Sequence, residues 1–252
     1  MAIVAVIGSK GGVGTSLIAT NLGCSLAGPG SSLLVDLHAG NGVDDLLLDS
    51  SAEKTWLELF PVLNELQSKH VDLATSTHSS GLKLMRGPEG WNPVAGSEDA
   101  RKLIRALDDL FDWCLIDLPP GLSLANQALL AISDAILLVT SADPPALRGA
   151  LRFATALPSG SADRVGLVVD QINRQHPSTA SQIAESLGMP LLAALPPDPR
   201  AVGYQIHFGR ACVLDRASPF GRGIRALAGR LQKSAGGQIR ARISADAGGV
   251  GS

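Results

Sequence analysis

Gly8-Ser9-Lys10-Gly11-Gly12-Val13-Gly14-Thr15-Ser16 decides how the rest of the chain is read. It follows the apolar run Ala2 to Ile7 and opens the amphipathic run Leu17 to Ala27. Strand, glycine-rich loop and helix in that order are the context a phosphate-binding loop requires. Glycines let the backbone curl tightly and bring its N–H groups against an anion, and a helix starting near Gly14 adds its positive end. Gly11, Gly12, Val13, Gly14, Thr15 and Ser16 are therefore the expected cradle, with Ser16 where such a loop places the hydroxyl ligand of Mg²⁺. One position departs from the pattern. The lysine that normally precedes that hydroxyl is replaced by Thr15, and a lysine stands five residues earlier, as Lys10.

Working outward, 252 residues suit one large α/β domain or two small ones. The chain is long enough to bury a core without staples. Charged residues make up 17%, below the usual ~25%, so more of the chain is buried or adhesive than average. The net charge of −2 favours neither an acidic nor a basic partner. Cys24, Cys114 and Cys212 are far apart and odd in number, which argues against a disulfide framework or a metal-ligand pair and for a reducing cytoplasm. No apolar stretch approaches the ~18 residues of a membrane span, and the start of the chain lacks the lead-in and cleavage site of a signal peptide.

Short apolar runs alternate with helical patterns, which predicts βαβ units and a mostly parallel, twisted sheet of seven to eight strands with helices on both faces. Strands are expected at Ala2–Ile7, Ser32–Leu37, Leu82–Arg86, Trp113–Leu118, Ala135–Thr140, Val165–Val169 and Pro190–Leu195. Helices are expected at Leu17–Ala27, Asp44–Leu48, Glu53–Ser68 with an interruption at Pro61, Glu98–Leu110, Pro145–Ala156, Arg200–Phe208 and Pro219–Lys233. Residues 1–233 read as a single domain. Residues 234–252 are rich in Gly, Ala and Ser with no apolar period, and are expected to form a disordered tail.

The segment Lys-Gly-Gly-Val-Gly, a small residue, then Ser or Thr resembles the deviant P-loop of the MinD/ParA ATPases, and the resemblance covers nearly the whole chain. It implies a P-loop NTPase fold, ATP and Mg²⁺ as cofactors, and a homodimer that sandwiches two nucleotides. In that family the early lysine, here Lys10, reaches across the dimer to the partner's nucleotide, while the later one, here Thr15, holds the β- and γ-phosphates. Lys10 turned toward its own loop would instead partly replace the missing lysine. A small residue at the later position is similar to the TadZ/CpaE-like branch, which positions pilus and secretion assemblies. Members often carry a receiver-like domain ahead of the loop, and here Met1 directly precedes the first strand. The resemblance implies a cytoplasmic location, polar or membrane-peripheral only through partners.

Several acids extend the site. Asp117 ends a buried strand, where P-loop proteins place an acid that holds Mg²⁺ through water, and Asp117-Leu118-Pro119-Pro120-Gly121 resembles the family's Walker B and switch II segment. Gly121 would let that backbone bend. Asp36 ends the strand beside the loop and matches the first acid of the family's Asp-x-Asp. The second acid is His38 here, a residue able to set up an attacking water only while neutral, or an ordinary loop residue. Asp45 matches an acid further along with no assigned role. Asp170 stands where the family often has Asn-Arg against adenine, so the resemblance implies it as an acceptor for the adenine amino group, with Asn173 as the alternative and an ordinary loop role equally open. Pro196 and Asp198 resemble a Pro-x-Asp-like turn that packs near the base in the family.

Lys10, Asp36 and His38 are thus the candidate catalytic residues. With no lysine at position 15 and no carboxylate at position 38, hydrolysis is expected to be slow or absent while binding survives. Arg210, Arg216, Arg222, Arg225, Arg230, Lys233, Arg240 and Arg242 make the C-terminal part basic, a feature shared by a solvated helix face and by ParA-type non-specific DNA binding. ParA-like partitioning or MinD-like septum positioning is the alternative function. An enzyme like the iron–sulfur reductase relatives would need paired cysteines that this chain lacks. Residues 238–252 show no large apolar face for membrane targeting.

Overall fold

In the first strand, β1 (Ala2–Gly8), Ile3, Ala5 and Ile7 pack into one core cluster and Val4 and Val6 into another. A strand buried on both faces reads as an unbroken apolar run, the signature of a covered parallel sheet. The computed structural model describes residues 1–28, 31–38, 40–50, 53–89, 97–157, 160–172 and 178–235. They form an eight-stranded sheet in the order β3-β4-β2-β5-β1-β6-β7-β8. The other strands are β2 (Ser32–Asp36), β3 (Ser76–Thr77), β4 (Lys83–Met85), β5 (Trp113–Leu118), β6 (Ala135–Ser141), β7 (Val165–Asp170) and β8 (Leu191–Ala194). All pair in parallel except β3, which runs antiparallel to β4 at the edge.

One face carries α1 (Thr15–Leu26), α8 (Pro199–Phe208) and α9 (Pro219–Ala235), whose Ile18, Leu22, Ala201, Phe220, Ile224 and Leu227 share a core with Val4 and Val6. The other face carries α4 (Ser97–Ala106), α5 (Leu124–Ile132), α6 (Pro144–Ala156) and α7 (Ala180–Leu187), with Leu103, Ile104, Leu129, Phe153 and Ile183 packed on Ile3, Ala5 and Ile7. The expected α/β architecture is therefore present, at the upper end of the expected strand number.

Several elements differ from the sequence reading. The stretch expected as a helix from Glu53 to Ser68 is a 3₁₀ segment, Trp56–Glu65, with Pro61 inside it. Proline lacks the N–H of the α ladder and disrupts an α-helix there, and 3₁₀ turns serve as connectors between elements. Its Thr55–Glu58 capping box is intact. The helix α3 (Ser68–Ala74) and strand β3 follow where no element was expected. Two further helices were unforeseen, α5 and α7. Ser123 Oγ accepts from the Asn126 N–H at the start of α5, and buried Arg164 donates to the Leu130 and Ala131 carbonyls at its end. At α7, Thr179 and Gln182 form a capping box and Gly188 closes the helix at φ 64°. The last helix runs to Ala235, two residues beyond the expected domain end. The rest of the expected tail lies outside the described residues.

The strand order places the site. From β1 the chain goes by α1 to β2 on one side, while β5 leads by α5 to β6 on the other. At such a switch point the crevice beyond the carboxyl ends of the strands is open to a ligand.

Candidate functional site

The loop between β1 and α1 is built as a concave backbone. Gly12 and Gly14 take φ of 79° and 89°, a left-handed conformation that glycine adopts without the Cβ clash. Nothing lies within 4 Å of where a Cβ on Gly11 would stand, so the space above it is open. The N-terminus of α1 has no side-chain cap and no acid in its first turn. Its unsatisfied N–H groups and dipole are those that receive an anion. From below, the loop is fixed by the Ser9 N–H to Val139 C=O bond at 2.8 Å and by Ser9 Oγ to Thr140 at 3.0 Å. Helix α6 approaches so closely that a Cβ on Gly149 would stand 2.1 Å from the Ser9 carbonyl oxygen.

Thr15 does not substitute for a lysine. A Cβ on Gly8 would lie 2.5 Å from Thr15 Oγ1, so that hydroxyl folds back onto the strand end. Ser16 Oγ donates to Asp117 Oδ2 at 2.6 Å, bringing the expected metal ligands together. Asp117 and Asp36 are paired neighbours on β5 and β2. Both are buried. Asp36 is held by the His38 N–H at 2.8 Å, while its carbonyl accepts from Trp56 Nε1 at 3.0 Å. His38 Nδ1 stands 3.2 Å from Asp36 Oδ1 and 3.3 Å from Asp117 Oδ2. Burial works against charging His38, but the two carboxylates more than offset it and its pKa is raised. Burial pushes Asp117 up to about 7, against the lowering influence of His38 and Ser16.

Two residues that sequence reasoning passed over complete this cluster. Asp44, at the start of the short helix α2 (Asp44–Leu47), is fully buried with neither oxygen bonded among the described residues. Burial, then the charges of Asp117 and Asp36, raise its pKa well above the carboxylate range. The neighbouring Asp45 is only half-buried and accepts from the Leu46 N–H. Asn126 donates to the Pro119 carbonyl at 2.8 Å and the Gly121 carbonyl at 2.6 Å, bracing the loop after Asp117, where Gly121 has φ 99°. An isolated Asp beside Asp45 and an Asn inside an apolar run carry no pattern that would single them out.

The base-side residues are less open. Asp170 is 3% exposed, and a Cβ on Gly14 would lie 2.7 Å from its Oδ2, so its carboxylate packs against the loop. Pro196 follows β8, while Asp198 caps α8 through the Ala201 N–H and accepts from Ser218. Asn173 lies outside the described residues. Lys10 is half-buried, and no ion pair to it occurs among the described residues. Its charge reaches Asp143, whose carboxyl is held low first by Ser141 and then by Ala146 and Lys10.

Burial raises the Asp170 pKa to about 6 from 3.8. Its charged form therefore costs stability above pH 6, a cost that vanishes below about pH 4. Asp170→Asn is expected to stabilise the chain by about 1–2 kcal/mol at pH 7.5, with the gain fading between pH 6 and 4. Thermal melts across that range test it, and a gain that persists at pH 4 would contradict the assignment.

The AAA domain family matches residues 1–159. The chain belongs to the MinD/ParA family of P-loop ATPases. It is 25% identical over 209 residues to the septum site-determining protein MinD of Synechocystis sp., covering 79% of this chain and 77% of that one. The ParA family ATPase from Chlorobium tepidum superposes with a TM-score of 0.81 at 20% identity, covering 91% and 98% of the two chains. MinD of Pyrococcus horikoshii, solved with Mg-ADP, gives 0.78 at 22% identity over 95% and 98%. MinD/ParA membership agrees with the loop, the strand order and the position of Asp117. No helix among the described residues is long and apolar enough to cross a membrane.

Proposed function

We propose that this MinD/ParA-family chain is an ATP-binding switch that dimerises across its nucleotide, hydrolyses ATP slowly, and positions a pilus or secretion assembly in the manner of the TadZ/CpaE-like branch. The observation that carries it is a well-formed loop with Thr15 where the phosphate lysine belongs. The backbone of Gly11 to Gly14 and the uncapped start of α1 fit the phosphates. Ser16 and Asp117 fit Mg²⁺, and the unbonded, buried Asp117 Oδ1 has an acceptor to offer it. Bound there, Mg²⁺ would supply positive charge against the phosphoryl oxygens. Asp36 would orient the attacking water, with His38 joining it only in the neutral form that its raised pKa disfavours. Asp170 and Pro196, at the ends of the paired strands β7 and β8, would line the base side, with Asn173 as the alternative contact.

Exposed apolar side chains support the dimer. Val43, Leu46 and Leu124 are 39%, 68% and 77% exposed, and follow the two strand ends that carry Asp36 and Asp117. A second copy would cover them and bring Lys10 to the facing nucleotide.

A septum-positioning role is the second reading, favoured by the MinD relative. DNA partitioning has weaker support, because Arg222, Arg225 and Arg230 donate to the backbone carbonyls of Ala217, Val213 and Leu192 within this fold. The test is calorimetry of the full chain with Mg²⁺ and ATP or ADP. Saturable association is expected with both, and no heat with either would sink the switch.

A further inference from the structure

We propose that Asp36, His38 and Asp117 form a binding site for a transition divalent cation, of the zinc or cobalt class, that fills without any nucleotide. Asp36 and Asp117 arrive side by side on β2 and β5, and His38 stands two residues past the end of β2. One ligand atom from each lies within 4.8 Å of the others. Two ligands on a tetrahedral zinc ion, each about 2.0–2.1 Å from it, stand about 3.3–3.4 Å apart. The His38 Nδ1 separations of 3.2 and 3.3 Å from the two carboxylates match that edge length. An imidazole nitrogen with carboxylate oxygens suits zinc or cobalt better than magnesium, which takes oxygen ligands.

Burial points the same way. Asp36, Asp44 and Asp117 are 1%, 0% and 0% exposed. Both oxygens of Asp44, and Oδ1 of Asp117, are buried with no partner among the described residues. No Lys or Arg ion pair reaches any of the three acids among those residues. Buried carboxyl oxygens with no donor facing them are left unsatisfied, and a divalent cation beside Asp117 Oδ1 satisfies it. His38 then has two exclusive roles: its Nδ1 hydrogen lies between the carboxylates, or its Nδ1 lone pair lies on a metal. Gly42 preserves this arrangement, since a Cβ there would stand 2.1 Å from Asp36 Oδ2.

The site stands on its own geometry rather than on the nucleotide reading, so it is tested with nucleotide absent. The full chain, stripped with EDTA, is titrated with Co²⁺ and then Zn²⁺, followed by visible absorption and calorimetry. One Co²⁺ per chain is expected, with the intense visible band of a tetrahedral field, displaced by Zn²⁺ and not by excess Mg²⁺. His38→Ala and His38→Asn should weaken Co²⁺ binding by about 10²-fold or more, with melting curves confirming that the variants are folded. His78→Ala, which removes the imidazole 3.5 Å from Cys24 Sγ, should leave it unchanged. Absence of Co²⁺ binding in the wild type, undiminished binding in either His38 variant, or loss in His78→Ala overturns the proposal. Nucleotide calorimetry on the same preparation reports separately on the ATPase reading.

Discussion

Thr15→Lys is expected to raise the rate of ATP hydrolysis by about 10²- to 10³-fold, the usual effect of one preorganised donor facing the developing charge. The present Thr15 hydroxyl turns back onto Gly8 and leaves that direction without a cation. Position 15 is half-buried at the first turn of α1, so a longer side chain has room to extend past the loop. His38→Asp added to it restores the second carboxylate and should increase the rate further. Phosphate release under steady-state conditions is the measurement. Unchanged turnover in Thr15→Lys would mean that the slow step lies elsewhere.

Lys10→Ala is expected to abolish ATP-dependent dimerisation while ADP still binds. Removing one partner of a buried charge contact across an interface costs about 2–5 kcal/mol, or roughly 30-fold and upward in dimer affinity. Within its own chain Lys10 makes no ion pair among the described residues, so its loss should leave the loop intact. Sedimentation velocity with ATP and with ADP separates the outcomes. A dimer that persists with ATP would show that Lys10 serves only its own nucleotide.

What the sequence made legible follows from where periodicity is strong. The buried strands β1, β5 and β6 are continuous apolar runs and fall within a residue or two of expectation. The loop was readable because glycine, lysine and hydroxyl positions carry chemistry at fixed spacing. The unforeseen α7 is bounded by Thr179, Gln182 and Gly188, a capping signature present in the sequence, but the helix between them is only eight residues long. Helix α5 is apolar on most sides and shows no stripe, which hid it. Asp44 was invisible because burial, rather than residue type or spacing, makes it unusual. Likewise Asp170 read as a strand-end acceptor, and only the close approach of its carboxylate to Gly14 reveals it packed against the loop.

The grip of Asn126 has a consequence for how the segment after Asp117 can move. A single amide nitrogen holds two carbonyls, those of Pro119 and Gly121. One rotation of that side chain would free both together, so the two carbonyls are tied to a single rotor. Shifting the segment beyond Asp117 therefore costs both of these bonds unless the Asn126 side chain moves with it.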